Sequence, residues 1–146
     1  MKKFTFSLKK VLEYKTHMEE YEKEVLAQLN SCHHQLENEL MGLGSRYIAL
    51  QGKYTEKCRR GSEVVEIAGI RSYLQELLNL MRKKRQEIQL LEKKIDKQID
   101  KIIELAQEKN AMEKLEERYY QFYKDKLRKE TENFIDDFVV NTKQNG

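Results

Sequence analysis

The side chains that could carry catalysis or bind a metal in this 146-residue chain are few and poorly placed for either task. His33 and His34 are adjacent, so on a helix their side chains point about 100° apart and cannot ligate one ion together. Cys32 and Cys58 are 26 positions apart, which on one helix is about 39 Å and far beyond disulfide reach. The sequence contains no CxxC pair, P-loop or GxGxxG pattern. We therefore expect no enzymatic activity, no metal and no cofactor, and the two unpaired thiols suggest a reducing compartment.

The composition favours long helices over a compact globule. The chain has no proline and six glycines, where average usage would give roughly seven and ten. Charged residues make up 36% of the chain, yet apolar residues recur throughout, which is typical of helices with a narrow apolar seam and wide solvated faces. The net charge of +3 is too small to indicate nucleic-acid binding by itself.

The first fifteen residues, MKKFTFSLKKVLEYK, could be mistaken for a targeting signal. A secretory signal needs an uninterrupted apolar run, but Lys9, Lys10 and Glu13 break every candidate run here. No stretch approaches the length of a membrane span. We therefore interpret this segment as the start of the first helix and expect a soluble, cytoplasmic protein.

Two apolar seams with alternating spacings of three and four predict a coiled coil. The first runs through Leu26, Leu29, His33, Leu36, Leu40, Leu43, Tyr47, Leu50 and Tyr54. The second runs through Ile67, Ile70, Leu74, Leu77, Met81, Lys84, Ile88, Leu91, Ile95, Gln98, Ile102 and Leu105. Upstream of the first seam, the apolar residues Leu8, Val11, Met18 and Val25 indicate a slip of one position. Beyond the second, the phase drifts and the stripe resumes at Leu115, Tyr119, Phe122, Leu127, Phe134 and Phe138.

Between the seams, basic residues followed by Gly61 and Ser62 are typical of one helix ending and another beginning. The sequence predicts a single all-α domain over residues 1–146, a long antiparallel two-helix coiled coil (a helical hairpin). The first helix covers about 7–57, the turn about 58–66, and the second helix extends to about 140 before a flexible tail at 141–146. Residues 63–80 could instead form a separate short helix or bent tip, because periodicity does not decide between the two.

Clusters of basic residues raise the alternative of nucleic-acid binding. The run from Arg82 to Arg85 precedes an apolar repeat, as in a basic zipper protein. The helix before it is apolar, however, where a DNA-reading arm is polar. A solvated face of a coiled coil explains these charges better, and we expect no nucleic-acid partner.

Aromatic residues are concentrated near both ends of the predicted hairpin. Four lie within residues 119–123, and Tyr47, Tyr54 and Tyr73 lie towards the turn. Adjacent helical positions diverge, so one seam cannot bury the whole first cluster. The residues favour either local packing or contact with partners at both ends, and leave these two possibilities open.

Two motifs resemble the FliJ family of bacterial flagellar export proteins. FTFSLKKVL at residues 4–12 resembles the opening of that family, and LEERYYQFY at 115–123, RKE at 128–130 and IDDF at 135–138 resemble its C-terminal helix. The resemblance covers essentially the whole chain. It implies a non-enzymatic stalk and escort protein of flagellar type III export, similar to the central stalk of rotary ATPases and peripherally associated with the export apparatus at the inner membrane.

The same resemblance implies three kinds of partner: the flagellar export ATPase, the cytoplasmic domain of the membrane export gate, and export chaperones. The implied ATPase-binding residues are Phe4, Phe6, Leu8, Val11, Tyr119, Phe122, Tyr123 and Leu127. The implied gate-binding residues are Tyr47, Leu50, Tyr54, Tyr73, Leu77, Leu80 and Lys84. The remaining alternative is a generic coiled-coil tether or stator-like subunit of another assembly.

Overall fold

The computed structural model describes residues 3–145, and these residues form two long helices with no strand among them. Helix α1 covers Lys9–Arg60 and helix α2 covers Val64–Asn145. The helices pack against each other, which confirms the predicted all-α helical hairpin. Helix continuity follows from the composition, because no proline interrupts either segment.

Gly61 makes the reversal between the helices. It has a φ of 76°, in the left-handed region that side chains with a Cβ disfavour. The backbone N–H groups of Gly61 and Ser62 both donate to the carbonyl of Lys57, at 3.1 and 3.2 Å. These two bonds satisfy the end of α1. The Glu63 carbonyl accepts the N–H of Ile67 and so opens α2.

The helix boundaries differ from the predicted ones by a few residues, and α2 begins at Val64, inside the predicted turn at 58–66. Helix α1 begins at Lys9 instead of residue 7 and ends at Arg60 instead of 57. Residues 64–80 belong to α2, which is unbroken, so this stretch is not a separate short helix. Residues 141–145, expected as a flexible tail, continue α2, since no glycine or proline stops the helix before Gly146, which lies outside the described residues.

The packing divides the chain into two compact units. The turn unit comprises Glu22–Lys101, and the terminal unit comprises Met1–Tyr21 together with Ile102–Gly146. In the turn unit, an ion pair joins Glu39 to Lys84, and a hydrogen bond links His33 Nε2 and Glu92 Oε1. From the first of these contacts to the second, the residue number on α1 falls from 39 to 33 while the number on α2 rises from 84 to 92, so the two helices are antiparallel here.

The apolar core of the turn unit is formed by seam residues of α2. Leu77 is 1% exposed, and Leu74 and Ile88 are also buried. Most other seam positions on both helices are partly buried. This burial is the pattern expected of a two-stranded coil, in which each side chain is covered by one neighbouring helix only.

The first seam continues upstream in phase, and the predicted slip is wrong at Leu8 and Val11, which are exposed, although Met18 and Val25 are partly buried beside the seam. Partly or fully buried positions extend from residue 26 back through Glu22, Glu19, Lys15 and Leu12 at the same spacing. Val11, which the slip would have turned inwards, is 43% exposed. The spacing was hidden because three of the four seam positions carry charged side chains.

Polar partners stabilise the charged seam positions. In the turn unit, the buried carboxylate of Glu22 accepts a hydrogen bond from Gln98 Nε2 and lies 2.9 Å from Lys101 Nζ. Gln98 Nε2 also donates to the Glu22 backbone carbonyl at 2.9 Å. These interactions favour the charged carboxylate, so the hydrogen bond from Gln98, followed by that from Lys101, lowers the pKa of Glu22.

Replacing Glu22 is therefore expected to weaken the acid sensitivity of the fold. A carboxyl whose pKa is lowered by folding stabilises the folded state above its ordinary pKa of 4.5, and this stabilisation is lost as the pH falls through the folded pKa. Urea unfolding of Glu22→Gln between about pH 7 and pH 3 should show a smaller loss of stability on acidification than the wild type shows. Glu24→Gln, on the exposed face of α1, is the control and should keep the wild-type dependence. An unaltered pH dependence in Glu22→Gln would contradict the interpretation.

Candidate protein-binding surfaces

The structure places all eight residues of the implied ATPase-binding set in the terminal unit. Four come from the N-terminal segment and the start of α1, and four come from α2 between residues 119 and 127. Because the two groups are far apart in sequence, only the fold brings them together. We refer to this set as the terminal surface.

Aromatic rings hold the N-terminal segment onto α2. The Phe4 ring centroid lies 5.1 Å from that of Tyr120 in an edge-on arrangement, and 5.6 Å from that of Tyr123. Phe6 meets Tyr119 edge-on at 5.8 Å. Such pairs add about 0.5–1.5 kcal/mol each beyond the burial of area. These ring contacts therefore hold Phe4 and Phe6, which precede α1, against α2.

The terminal surface contains both buried and exposed members. Phe6 is 7% exposed and so belongs to the packing, whereas Phe122 is 78% exposed and Tyr119 is 49% exposed. Leu8 and Val11 are also exposed. The exposed residues can reach a partner directly, while Phe6 can only position its neighbours.

Tyr120 is a member of the aromatic cluster that the sequence-based set omitted. It contacts Phe4, stacks on Tyr123 with centroids 6.5 Å apart, and carries the Lys124 ammonium 4.8 Å above its ring. A cation over an aromatic face is favourable at an exposed site. The aromatic run at 119–123 was the signal available, but the spacing of the second seam excluded Tyr120.

The seven residues of the implied gate-binding set all lie in the turn unit. We refer to them as the turn surface. Leu77 is 1% exposed and lies in the core, so it cannot contact a partner while the helices are paired. Tyr47, Leu50 and Tyr54 are half-buried along α1. The exposed apolar members are Tyr73 and Leu80, at 45% and 42%.

Lys84 is held by two carboxylates. Its Nζ donates to Glu39 Oε2 at 2.7 Å across the hairpin and lies 3.6 Å from Glu87 Oε2 on α2. The hydrogen bond to Glu39 raises the pKa of Lys84, and the same bond lowers the pKa of Glu39. Lys84 therefore remains a cation, but its charge is already paired.

An open groove crosses the helices beside Lys84 in the turn unit. Its lining includes Gly42, Leu43, Arg46, Leu80 and Lys83. Arg46 and Lys83 form no ion pair with any residue in the described part of the chain, so they are available as cations. The implied gate-binding set contains Leu80 and Lys84 but no residue from the α1 side of this groove, where Gly42 and Arg46 lie off the predicted seam and Leu43 was expected only as a seam residue.

The described residues offer little to small-molecule chemistry. Among residues 3–145, no cluster of three or more His, Cys, Asp or Glu side chains could hold a metal ion. Cys32 and Cys58 are exposed and free. In the part of the chain that the structure covers, neither helix has a stretch long and apolar enough to cross a membrane.

Comparison with known proteins gives one informative finding. Residues 4–145 match the family model described as Flagellar FliJ protein, which is nearly the whole chain. No curated protein and no solved structure matches the chain significantly.

Removing the buried aromatic ring of the terminal unit should destabilise the chain strongly. Phe6→Ala deletes a buried ring and its contact with Tyr119, and such deletions cost about 3 kcal/mol. Phe122→Ala removes a ring that is 78% exposed and should change the free energy of unfolding by no more than about 0.5 kcal/mol. Urea unfolding followed by circular dichroism measures both. Equal effects of the two substitutions would contradict the assignment of Phe6 to the packing.

Proposed function

The chain belongs to the FliJ family of flagellar proteins, and on that premise we propose that it is a non-enzymatic stalk and escort protein of flagellar type III protein export. Membership of the family implies a role in flagellar export. The proposal adds the partners and the mechanism. In it the whole chain acts as one coiled-coil domain. The observation that carries the proposal is the match over residues 4–145, which includes both surfaces described above.

We assign binding of the export ATPase to the terminal surface. Phe122 and Tyr119 expose large aromatic areas, and aromatic side chains are typical anchors of protein interfaces. The rings of Phe4 and Phe6 support this assignment, because they hold the N-terminal segment against α2 next to the exposed residues. A partner would therefore meet a preformed surface, which lowers the entropic cost of binding.

The proposed effect on the ATPase follows from a difference in symmetry. An export ATPase ring has six-fold symmetry, whereas an antiparallel hairpin of two different helices has none. One hairpin in the centre of the ring therefore contacts the six subunits unequally. Binding would favour the assembled ring by mass action and would bias which subunit hydrolyses ATP.

We assign binding of the export gate to the turn surface. Tyr73 and Leu80 are its exposed apolar residues, and Leu80 lines the groove that Arg46 and Lys83 make positive. Tyr47, Leu50 and Tyr54 continue the surface along α1. In this proposal Leu77 supports the surface from within the core, and Lys84 acts through its ion pair with Glu39. The chain would work in the cytoplasm, at the membrane-bound apparatus, and would also hold export chaperones.

Adding the purified chain to the flagellar export ATPase is expected to increase both hexamer formation and ATP turnover. The variant Phe122→Ala should reduce this stimulation by about tenfold, because it removes an anchor that is 78% exposed without opening the core. Size-exclusion chromatography with light scattering and a phosphate-release assay measure the two effects.

The matched control for that experiment is Tyr14→Ala. Tyr14 is an aromatic residue of the terminal unit with 64% exposure, and it lies outside the terminal surface. It should leave stimulation unchanged. If the wild-type chain alters neither assembly nor turnover, the ATPase assignment is wrong.

Binding to the cytoplasmic domain of the export gate should depend on the exposed half of the turn surface. Leu80→Asp replaces the exposed apolar side chain of the groove with a carboxylate and should weaken binding by about tenfold in isothermal titration calorimetry, since the apolar contact is lost and a new charge must be desolvated. Ile48→Asp, at a residue of α1 that is 71% exposed and outside the surface, is the control. Equal weakening by both variants would mean that the site lies elsewhere.

A further inference from the structure

The C-terminal part of α2 has no packing partner within the described chain. The N-terminal segment reaches along α2 as far as Leu127 and Glu130, where Lys3, Phe4 and Thr5 face them across an open groove. From Thr131 to Gln144 every side chain is exposed. This stretch is nevertheless helical to Asn145, although helices that lack tertiary packing are marginal in water.

The exposed stretch carries an apolar stripe that continues the seam of the hairpin. Tyr120, Leu127 and Phe134 are spaced by seven residues and share one face of α2, and Phe138 follows one turn after Phe134. Phe4 covers Tyr120, but Phe134 and Phe138 are 73% and 64% exposed. Ile135 and Val139 add further apolar surface beside them. An apolar stripe that is covered at one end and exposed at the other indicates a surface on which a second helix can pack.

The charges of this stretch are separated into two blocks of opposite sign. Residues 124–129 contain four cations and one aspartate, a net charge of +3. Residues 130–137 contain four acidic residues and no cation, a net charge of −4. Two copies aligned in parallel would place like charges against each other. Two copies aligned antiparallel bring each positive block towards the negative block of the other copy.

We propose that this segment, residues 124–142, pairs antiparallel with the same segment of a second copy of the chain. The alignment that sets Leu127 opposite Phe138 also sets Thr131 opposite Phe134, so both phenylalanines of each copy enter the new seam. In that alignment Arg128 and Lys129 of one copy are level with the acidic pair Asp137 and Asp136 of the other copy. The interface is isologous, as a two-fold axis between antiparallel helices requires.

The interface is short, so the association is weak. Two helices that meet over about five turns bury less than the roughly 1,200 Å² of a standard stable interface, which places the pairing among transient contacts. The proposal does not depend on the ATPase or the gate, since it needs only the purified chain. A second copy would, however, cover Leu127, which belongs to the terminal surface, so pairing and ATPase binding at that surface would compete.

Sedimentation equilibrium of the full chain over a concentration series measures the pairing. The wild type is expected to approach twice the monomer mass at the highest concentrations. Phe134→Ser/Phe138→Ser should weaken the association by about tenfold or more, because it removes both apolar anchors from the seam. Phe122→Ser is the control, since Phe122 is also highly exposed but lies on the opposite side of α2, about 120° or more from the two phenylalanines.

Charge reversal tests the orientation. Variant one reverses Lys126, Arg128 and Lys129 to Glu, and variant two reverses Glu132, Asp136 and Asp137 to Lys. Each should weaken pairing by about tenfold in low salt, since each leaves two blocks of the same sign facing each other. The variant that combines all six reversals should restore pairing, because opposite blocks meet again. Circular dichroism checks that each variant keeps its helix content.

Three results would overturn the proposal. A wild-type chain that remains monomeric at every concentration rules out the pairing. A control variant at Phe122 that associates as weakly as the double phenylalanine variant places the contact on another face. The antiparallel charge arrangement is excluded if the variant with all six reversals fails to restore pairing. It is also excluded if neither variant one nor variant two weakens pairing.

Discussion

The structure depends on the mutual burial of two narrow seams, one on each helix. Neither helix has an apolar face wide enough to form a globular core, and only four apolar side chains among the described residues are buried: Phe6, Leu74, Leu77 and Ile88. Stability is therefore distributed over many half-buried positions spaced three and four residues apart. A seam of this kind has to be covered along its length by a second helix or segment. Apolar residues remain uncovered at the terminal surface, at the turn surface and in the C-terminal part of α2, and also at isolated positions such as Ile48.

Spacing alone predicted the architecture. Both seams, the reversal at Gly61 and the antiparallel arrangement follow from the positions of apolar residues and one glycine, because the period of an α-helix is fixed by backbone geometry. The start of α1 was harder to interpret. The positions there that face α2 carry Lys15, Glu19 and Glu22. A search for hydrophobic residues at seam spacing cannot detect these charged residues, which ion pairs and hydrogen bonds stabilise within the seam. Their partners, Glu108, Lys109 and Gln98, lie on the other helix and become visible only in three dimensions.

The candidate surfaces were predicted less completely than the fold. The aromatic run near residue 120 forms ring contacts in the terminal unit, but residue type does not distinguish a ring that packs inside the protein from a ring that is exposed to a partner. Phe6 is buried against Tyr119, whereas Phe122 is open to solvent. The same ambiguity affects the turn unit, where Leu77 is core and Leu80 is exposed although both are leucines on one helix. The exposure of a side chain depends on how its helix is rotated about its own axis relative to the neighbouring helix. The sequence predicts this rotation only to within about one residue.

The buried pair of Glu22 and Gln98 has a consequence for how the hairpin closes. Apolar seams tolerate translation by one heptad, about 10.5 Å along the axis, because leucine then meets leucine again. Such a shift would place the carboxylate of Glu22 against Leu91 or Leu105. The carboxylate would then stay in the seam without its hydrogen bond from Gln98, which destabilises the shifted pairing. A hairpin whose helices pair in a shifted register is therefore less stable than one paired in the register of the structure. One polar layer thus adds to the turn at Gly61 in favouring a single alignment of the two seams.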